Sequence, residues 1–150
     1  MSMLLFLAAL AQAAPATAPA APTPSIDGLP IGAIPRQDLP ERGCAAFLWT
    51  ASGTRALVAM AQADPARLRL SIAGTIVDLE RSGQVGAGGF GFAETNDYGS
   101  GSTAAKLTLK IEPRETLSGG ALVPEGILQI DRAGQDSLVV PVAGMIGCAA

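Results

Sequence analysis

The residues with the clearest capacity to bind a metal lie close together in the middle of the chain. Glu94, Asn96 and Asp97 could offer carboxylate and amide oxygens to calcium, because hard cations take oxygen ligands. Their spacing does not match an EF-hand loop, and solvated acidic residues in loops are common. We therefore expect no metal site at these residues.

A second acidic pair, Asp78 and Glu80, falls on one face of a strand-like segment. Two carboxylates on one face would suit glycoside hydrolysis, in which one acid is kept protonated. However, Arg69 and Arg67 are expected opposite these acids, and a nearby cation keeps a carboxyl group ionised. The pair is therefore interpreted as part of two surface ion pairs.

Two further strings resemble known motifs. Residues 86–91 satisfy the pattern G-x-G-x-x-G, but the residues that follow do not begin a helix that could receive a pyrophosphate. A glycine-rich hairpin connection is expected there instead. Thr103 and Lys106 resemble the end of a Ser-x-x-Lys box, yet the alternating pattern around Lys106 predicts a surface lysine.

The composition excludes several functional classes. The chain has no histidine, which rules out Ser-His-Asp triads, Cys-His pairs and imidazole metal sites. Its net charge is -3, with arginines and acids scattered along the chain, so no clustered basic face is expected for nucleic acid. We predict no catalytic residue, no cofactor and no enzymatic activity.

The two cysteines, Cys44 and Cys148, lie near the two ends of the strand-rich region. Behind a secretory leader, two cysteines indicate one disulfide formed in an oxidising compartment. A reactive thiol would need a cation nearby, and only Cys44 has one in its sequence neighbourhood, Arg42. We expect a structural disulfide that joins the first strand of the domain to the last.

The N-terminal region predicts export followed by a spacer. Residues 3–11 form an apolar run too short to span a bilayer, and small residues follow it, so residues 1–13 are interpreted as a signal peptide cut after Ala13 or Ala11. Residues 14–40 hold seven of the eleven prolines and are expected to form an extended linker. Its last part, including Ile31, Ile34 and Leu39, could dock on the domain.

Residues 41–150 alternate between apolar and polar positions and have no helix-length stretch with the period of a helix. The clearest hairpin places Leu70 opposite Val77 and Leu68 opposite Leu79. The same register sets Arg69 against Asp78 and Arg67 against Glu80, about a turn at residues 73–74. A slip by one residue would oppose aliphatic to charged side chains, so the register is well specified.

Other pairings follow from weaker patterns. Residues 45–50 and 55–60 are apolar on both faces and should be covered on each side. Leu128 is expected opposite Val140, and Ile130 opposite Leu138. Further strands are predicted at 90–95 and 106–112, and the intervening polar or glycine-rich stretches 96–102 and 113–120 are expected to be long loops. Phe47, Trp49 and Met60 could line a pocket, but their spacing favours the core.

These features predict one all-β domain of seven to eight short antiparallel strands, either a sandwich or a small barrel. The residues around both cysteines, 43–49 and 141–148, together with 131–134, resemble small uncharacterised secreted proteins of Gram-negative bacteria. That resemblance implies a secreted domain and no particular activity.

The sequence therefore favours a non-enzymatic periplasmic or secreted module that binds or scaffolds an unknown protein or envelope component. The alternative is a small barrel that carries an apolar ligand or inhibits a protease. We expect no nucleic-acid partner and no membrane-spanning segment after leader cleavage, and a monomer is the simplest expectation.

Overall fold

The computed structural model describes residues 14–15 and 25–150, so the predicted leader and most of the linker before Ser25 lie outside the described residues. The described chain consists of strands and turns, and it contains no helix with the length and apolar character needed to cross a membrane. In chain order the strands are β1 (Ile31–Gly32), β2 (Cys44–Thr50), β3 (Leu57–Ala63), β4 (Ala66–Ile72), β5 (Thr75–Gly89), β6 (Phe92–Ser100), β7 (Thr103–Pro113), β8 (Gly120–Arg132) and β9 (Leu138–Cys148).

Strands β2 to β9 form a closed eight-stranded antiparallel barrel. Each strand pairs with the next one in sequence, and β9 pairs with β2 to close the circle. The all-β prediction is confirmed, and of its two architectures the barrel is the one observed. Closure removes the two free edges that an open sheet would present to other chains.

The β4–β5 hairpin has the register that the sequence predicts. Leu70 pairs with Val77, Leu68 with Leu79, and Arg69 with Asp78. The connecting residues Ala73 and Gly74 have φ values of 48° and 80°, as a tight two-residue hairpin turn requires. The predicted pairings of Leu128 with Val140 and of Ile130 with Leu138 are also confirmed.

Alternate side chains of the strands fill the barrel interior. Small residues such as Ala46, Ala59 and Ala61 pack there among larger aliphatic side chains. An eight-stranded barrel is just wide enough for its interior to be filled in this way. The fully buried large side chains include Leu48, Leu68, Leu70, Leu79, Leu107, Leu128, Ile130 and Tyr98.

The packed part of the chain begins before Glu41, the domain boundary expected from the sequence. Ile26 and Ile31 join the interior cluster, and β1 pairs with the end of β4. Ile34 covers the outer face of β2 and β3 against Ala45 and Met60. The segment docks because its isoleucines bury apolar surface on both sides of the barrel wall. Leu39 remains 60% exposed.

Cys44 and Cys148 are bonded to each other and are directly paired residues of β2 and β9. The predicted disulfide is therefore confirmed, and it joins the last strand to β2, the first strand of the barrel. We call the end of the barrel that holds this bond the disulfide end; because neighbouring strands are antiparallel, the β3–β4 and β5–β6 turns lie there too. A disulfide is compatible with an oxidising location.

Two predictions about the middle of the chain are wrong. Residues 96–100 belong to β6 and pair with residues 103–107 of β7, so the predicted long loop is only the turn at residues 101–102. Phe90 lies in a turn, and β6 begins at Phe92. The Gly, Ser, Asn and Asp content of residues 96–102 favours a turn locally, but the two flanking strands provide ladder partners for the segment. The predicted loop at 113–120 is confirmed for residues 114–119.

Candidate functional site

A half-open groove of about 800 Å³ lies on one side of the described barrel. It crosses the β5–β6 hairpin and strands β7, β8 and β9, which are in register here: Leu109 pairs with Gly126, and Gly126 with Val142. The volume falls in the range of ligand sites. The groove is lined by Ala51, Ala87, Gly88, Gly89, Phe90, Glu94, Thr108, Leu109, Lys110, Ile111, Pro113, Pro124, Glu125, Gly126, Ile127, Pro141 and Val142.

The tip of the β5–β6 hairpin packs on the disulfide end of the barrel. Phe92 is buried in the interior cluster, and Phe90 packs against it. Arg81 Nη1 donates a hydrogen bond of 2.9 Å to the carbonyl of Gly91. A Cβ on Gly91 would lie only 2.5 Å from the Cβ of Ala63, so this position requires glycine. The hairpin tip therefore lies across the barrel mouth.

Asn96 holds the bend that places the hairpin there. Its side-chain oxygen accepts from the N–H of Ala93 at 3.1 Å, and its amide donates to the carbonyl of Ala93 at 2.8 Å. Residues three apart in a straight strand are about 10 Å apart, so both bonds require the chain to turn sharply between them. Gln84 Nε2 donates a third bond, at 2.8 Å. The side chain of Asn96 is fully buried.

As a consequence of this bend, one edge of β7 is left without a partner strand. Pairing of β6 with β7 stops at Thr95 and Thr108, whereas β7 continues to Pro113 along β8. A Cβ on Gly126 of β8 would lie 2.9 Å from the carbonyl oxygen of Thr108, so that carbonyl faces β8. Because backbone groups alternate in direction along a strand, those of Leu109 and Ile111 face the groove.

Phe90, at the hairpin tip, carries backbone strain beside the groove. Its φ is 61°, a left-handed conformation that is costly for a side chain with a Cβ and unusual for a bulky one. Strained residues of this kind cluster at functional sites. The strained conformation of Phe90 is therefore consistent with a functional role for this hairpin tip.

The rim of the groove is acidic. Glu94 and Glu125 line it and are exposed, and neither takes part in the ion pairs formed by the described residues. Lys110 is the one cationic residue in the lining, and its Nζ lies 3.6 Å from a carboxylate oxygen of Glu112. Glu112 also pairs with Arg114 Nη2 at 3.3 Å, but the lining itself holds two carboxylates and one cation, so its own charge is negative.

The calcium candidates predicted from the sequence do not converge. Asn96 is buried, whereas the Asp97 carboxylate lies 2.6 Å from Lys106 Nζ. Among residues 14–15 and 25–150, no group of three or more His, Cys, Asp or Glu side chains is arranged to hold a metal ion. Lys106 itself is half-exposed, which matches its prediction as a surface lysine.

The two predicted ion pairs of the β4–β5 hairpin have different outcomes. Arg69 Nε lies 2.8 Å from Asp78 Oδ1, and its hydrogen bond lowers the pKa of that carboxyl group. Arg67 lies opposite Glu80 but donates to Gln62 on the neighbouring strand, so the second ion pair was predicted wrongly. Gln62 competes with Glu80 for the Arg67 guanidinium because it is paired with Arg67 on β3, the strand on the other side of β4.

The remaining motif residues are structural. Residues 86–91 lead into the β5–β6 turn, which confirms the hairpin interpretation of the glycine-rich string. Phe47 and Met60 pack in a small cluster with Ile34 on the outer face of the wall and not in the barrel interior. Trp49 lines a second, smaller groove of about 470 Å³ with Met145, and this groove adjoins the first at Pro124.

Sequence reasoning missed both the groove and the open edge of β7. One signal was available, since Pro113, Pro124 and Pro141 all lie within strands and all line the groove. Proline in a strand indicates an edge, a bulge or a strand end. In agreement, β8 changes register around Pro124, between Val123 and Gly126.

Comparison of the chain with models of protein families, with curated proteins and with solved structures finds no match.

Proposed function

We propose that this protein is a non-enzymatic binding module of the periplasm or the cell exterior, and that the groove is its binding surface. The observation that supports this most directly is a concave, mainly apolar site of about 800 Å³ on a rigid barrel. Binding sites are typically apolar clefts of this size with a few polar groups that orient the ligand. The disulfide between Cys44 and Cys148 supports export to an oxidising compartment.

The composition of the groove supports binding over catalysis. Its ionisable residues are Glu94, Lys110 and Glu125, and Lys110 lies beside Glu112. Thr108 is the only hydroxyl-bearing residue in the lining. Covalent catalysis at a hydroxyl requires an adjacent general base; the chain has no histidine, the commonest one, and no hydrogen bond joins Thr108 to an ionisable side chain among the described residues.

A carrier of an apolar ligand is the second candidate, favoured by the apolar part of the lining, such as Phe90, Ile111 and Ile127. A carrier should retain its ligand through purification. A native mass spectrum of protein exported to the periplasm would then show a reproducible added mass. A spectrum of the bare polypeptide would favour a module that binds its partner reversibly.

The test of the binding surface uses N-phenyl-1-naphthylamine, a neutral apolar fluorophore. The Gly89→Trp variant should fill the groove, because a Cβ at Gly89 meets no atom within 4 Å. Ser82→Trp is the matched control, on the same strand, exposed and outside the groove lining. We expect saturable binding that Gly89→Trp weakens by about tenfold, the loss of about 1.4 kcal/mol of contacts, and that Ser82→Trp leaves unchanged. Equal binding by all three proteins would contradict the proposal.

A further inference from the structure

We infer that the groove accepts an extended polypeptide segment, which adds a strand to the open edge of β7. This inference rests on the proposed function, since it names the class of partner that the groove would bind. The partner is an apolar, β-prone segment flanked by basic residues.

The open edge supplies the backbone chemistry for such a partner. From Leu109 to Pro113, β7 is hydrogen-bonded to β8 but has no strand on its other side. Unpaired N–H and C=O groups on an edge are a template for another strand. An extended peptide that adds to an edge gains its affinity from these main-chain bonds.

The length and limits of the edge suit a short segment. Five residues of strand span about 17 Å, and the groups of Leu109 and Ile111 that face the groove can form at most two pairs of main-chain bonds. Pro113 ends the edge because it has no N–H to donate, and Lys110 places a charge along it. Proline and lysine on an edge discourage uncontrolled pairing between sheets, which favours capture of single short segments.

The apolar lining selects the side chains of the segment. Successive residues of a strand point to opposite faces, so alternate residues of an added strand would meet the apolar groove wall. On one face the lining offers Phe90 and Ile111, which pack against the interior cluster, and on the other face it offers Ile127 of β8, which is 42% exposed. Burying such surface favours Val, Ile or Thr at alternate positions of the segment.

The charge of the rim selects the ends of the segment. Glu94 and Glu125 are exposed acids at the groove without partners among the described ion pairs. Lysine or arginine on either side of the apolar residues would complement them, whereas acidic flanks would be repelled. Complementary charge contributes mainly to the rate and specificity of association and weakens with salt.

The test uses a fluorescein-labelled peptide, Lys-Val-Thr-Val-Thr-Val-Lys, and fluorescence anisotropy with the full mature chain. Two analogues carry N-methyl groups on alternate residues, one set for each edge of the peptide. Strand addition uses one edge only, so one analogue should lose affinity by about tenfold or more, through missing main-chain bonds, while the other binds as the parent does. A peptide with Glu in place of both Lys residues should bind several-fold more weakly at low salt.

Protein variants provide a second measurement. Ile111→Pro removes an N–H that faces the groove and should weaken peptide binding, whereas Ile111→Val keeps that N–H and should restore it. If both N-methylated peptides bind as well as the parent, or the parent does not bind, strand addition is wrong. Retained binding of N-phenyl-1-naphthylamine in that case would leave the proposed function standing, and loss of both would overturn the two together.

Discussion

Tyr98 is a buried polar residue without a partner in the barrel interior. It is 1% exposed, and its hydroxyl has no hydrogen-bond partner among the described residues. Burial raises the pKa of this side chain to about 12, because the phenolate would lose its hydration. The unfolded chain ionises near pH 10, so folding is opposed by phenolate formation only above that pH.

The expected result is a loss of about 2 kcal/mol in the free energy of unfolding as pH rises from 10 to about 12. Tyr98→Phe keeps the ring and removes the unpaired oxygen, so it should abolish this loss. At neutral pH the variant should be equally stable or more stable by up to about 1 kcal/mol. Urea unfolding of both proteins between pH 7 and 12 measures each effect, and an identical alkaline loss in the variant would exclude Tyr98 as its source.

Asn96 is the buried polar residue that shapes the candidate site. Asn96→Ala would leave the N–H and C=O of Ala93 without their side-chain bonds and would remove one of the two bonds that the Gln84 amide donates, the other going to the carbonyl of Gly91. We expect a loss of about 2–4 kcal/mol in the free energy of unfolding. Gln84→Ala, at an exposed position of β5, is the control and should lose less than about 1 kcal/mol. Equal losses in urea unfolding would mean that Asn96 does not hold the hairpin bend.

At the scale of the elements, the β4–β5 hairpin shows how local signals can agree. The aliphatic alternation, the turn and the Arg69–Asp78 ion pair all specify one register. The lowered pKa of Asp78 means that the contribution of this pair to stability is present above the carboxyl's ordinary pKa and is lost as pH falls below it. The pair is partly exposed, so it selects the register more than it stabilises the fold.

The turn of this hairpin holds a residue that the backbone disfavours. Ala73 has a φ of 48°, a conformation that glycine adopts without steric strain. Ala73→Gly should therefore raise the free energy of unfolding by about 0.5–1 kcal/mol, despite the greater freedom of glycine in the unfolded chain. Ala133→Gly, in an exposed turn without a positive φ, is the control and should lower it. Thermal unfolding of the two variants measures the difference. A lower free energy of unfolding in both variants would contradict backbone strain at Ala73.

At the scale of the whole molecule, the disulfide limits the freedom of the unfolded chain. It connects residues 104 positions apart, and a closed loop of that size stabilises the fold by about 4–5 kcal/mol in the chain-entropy model. The double variant Cys44→Ala, Cys148→Ala should therefore unfold at markedly lower urea concentration than the oxidised protein. Wild-type protein unfolded in reducing buffer should match the variant, and unchanged midpoints would show that the barrel closes without the bond.

The groove depends on interactions that the sequence does not display locally. It arises where β6 leaves β7 at Thr95, and that departure depends on Asn96 bonding to Ala93 and on the hairpin tip packing on the barrel mouth. The residues that make these contacts lie in glycine-rich or polar stretches and match no recognisable sequence motif. The predicted loop at 96–102 failed for the same reason, since its neighbours in space determined its conformation.

By itself, the sequence determined the strand alternation, the register of the best hairpin and the pairing of Cys44 with Cys148, because periodicity, turn residues and two lone cysteines are local or unambiguous signals. Only the tertiary structure decided between sandwich and barrel, brought residues 26–34 into the packed unit and left the edge of β7 open. Those outcomes depend on which distant surfaces meet, and contacts between distant parts of a chain leave no periodic trace in it.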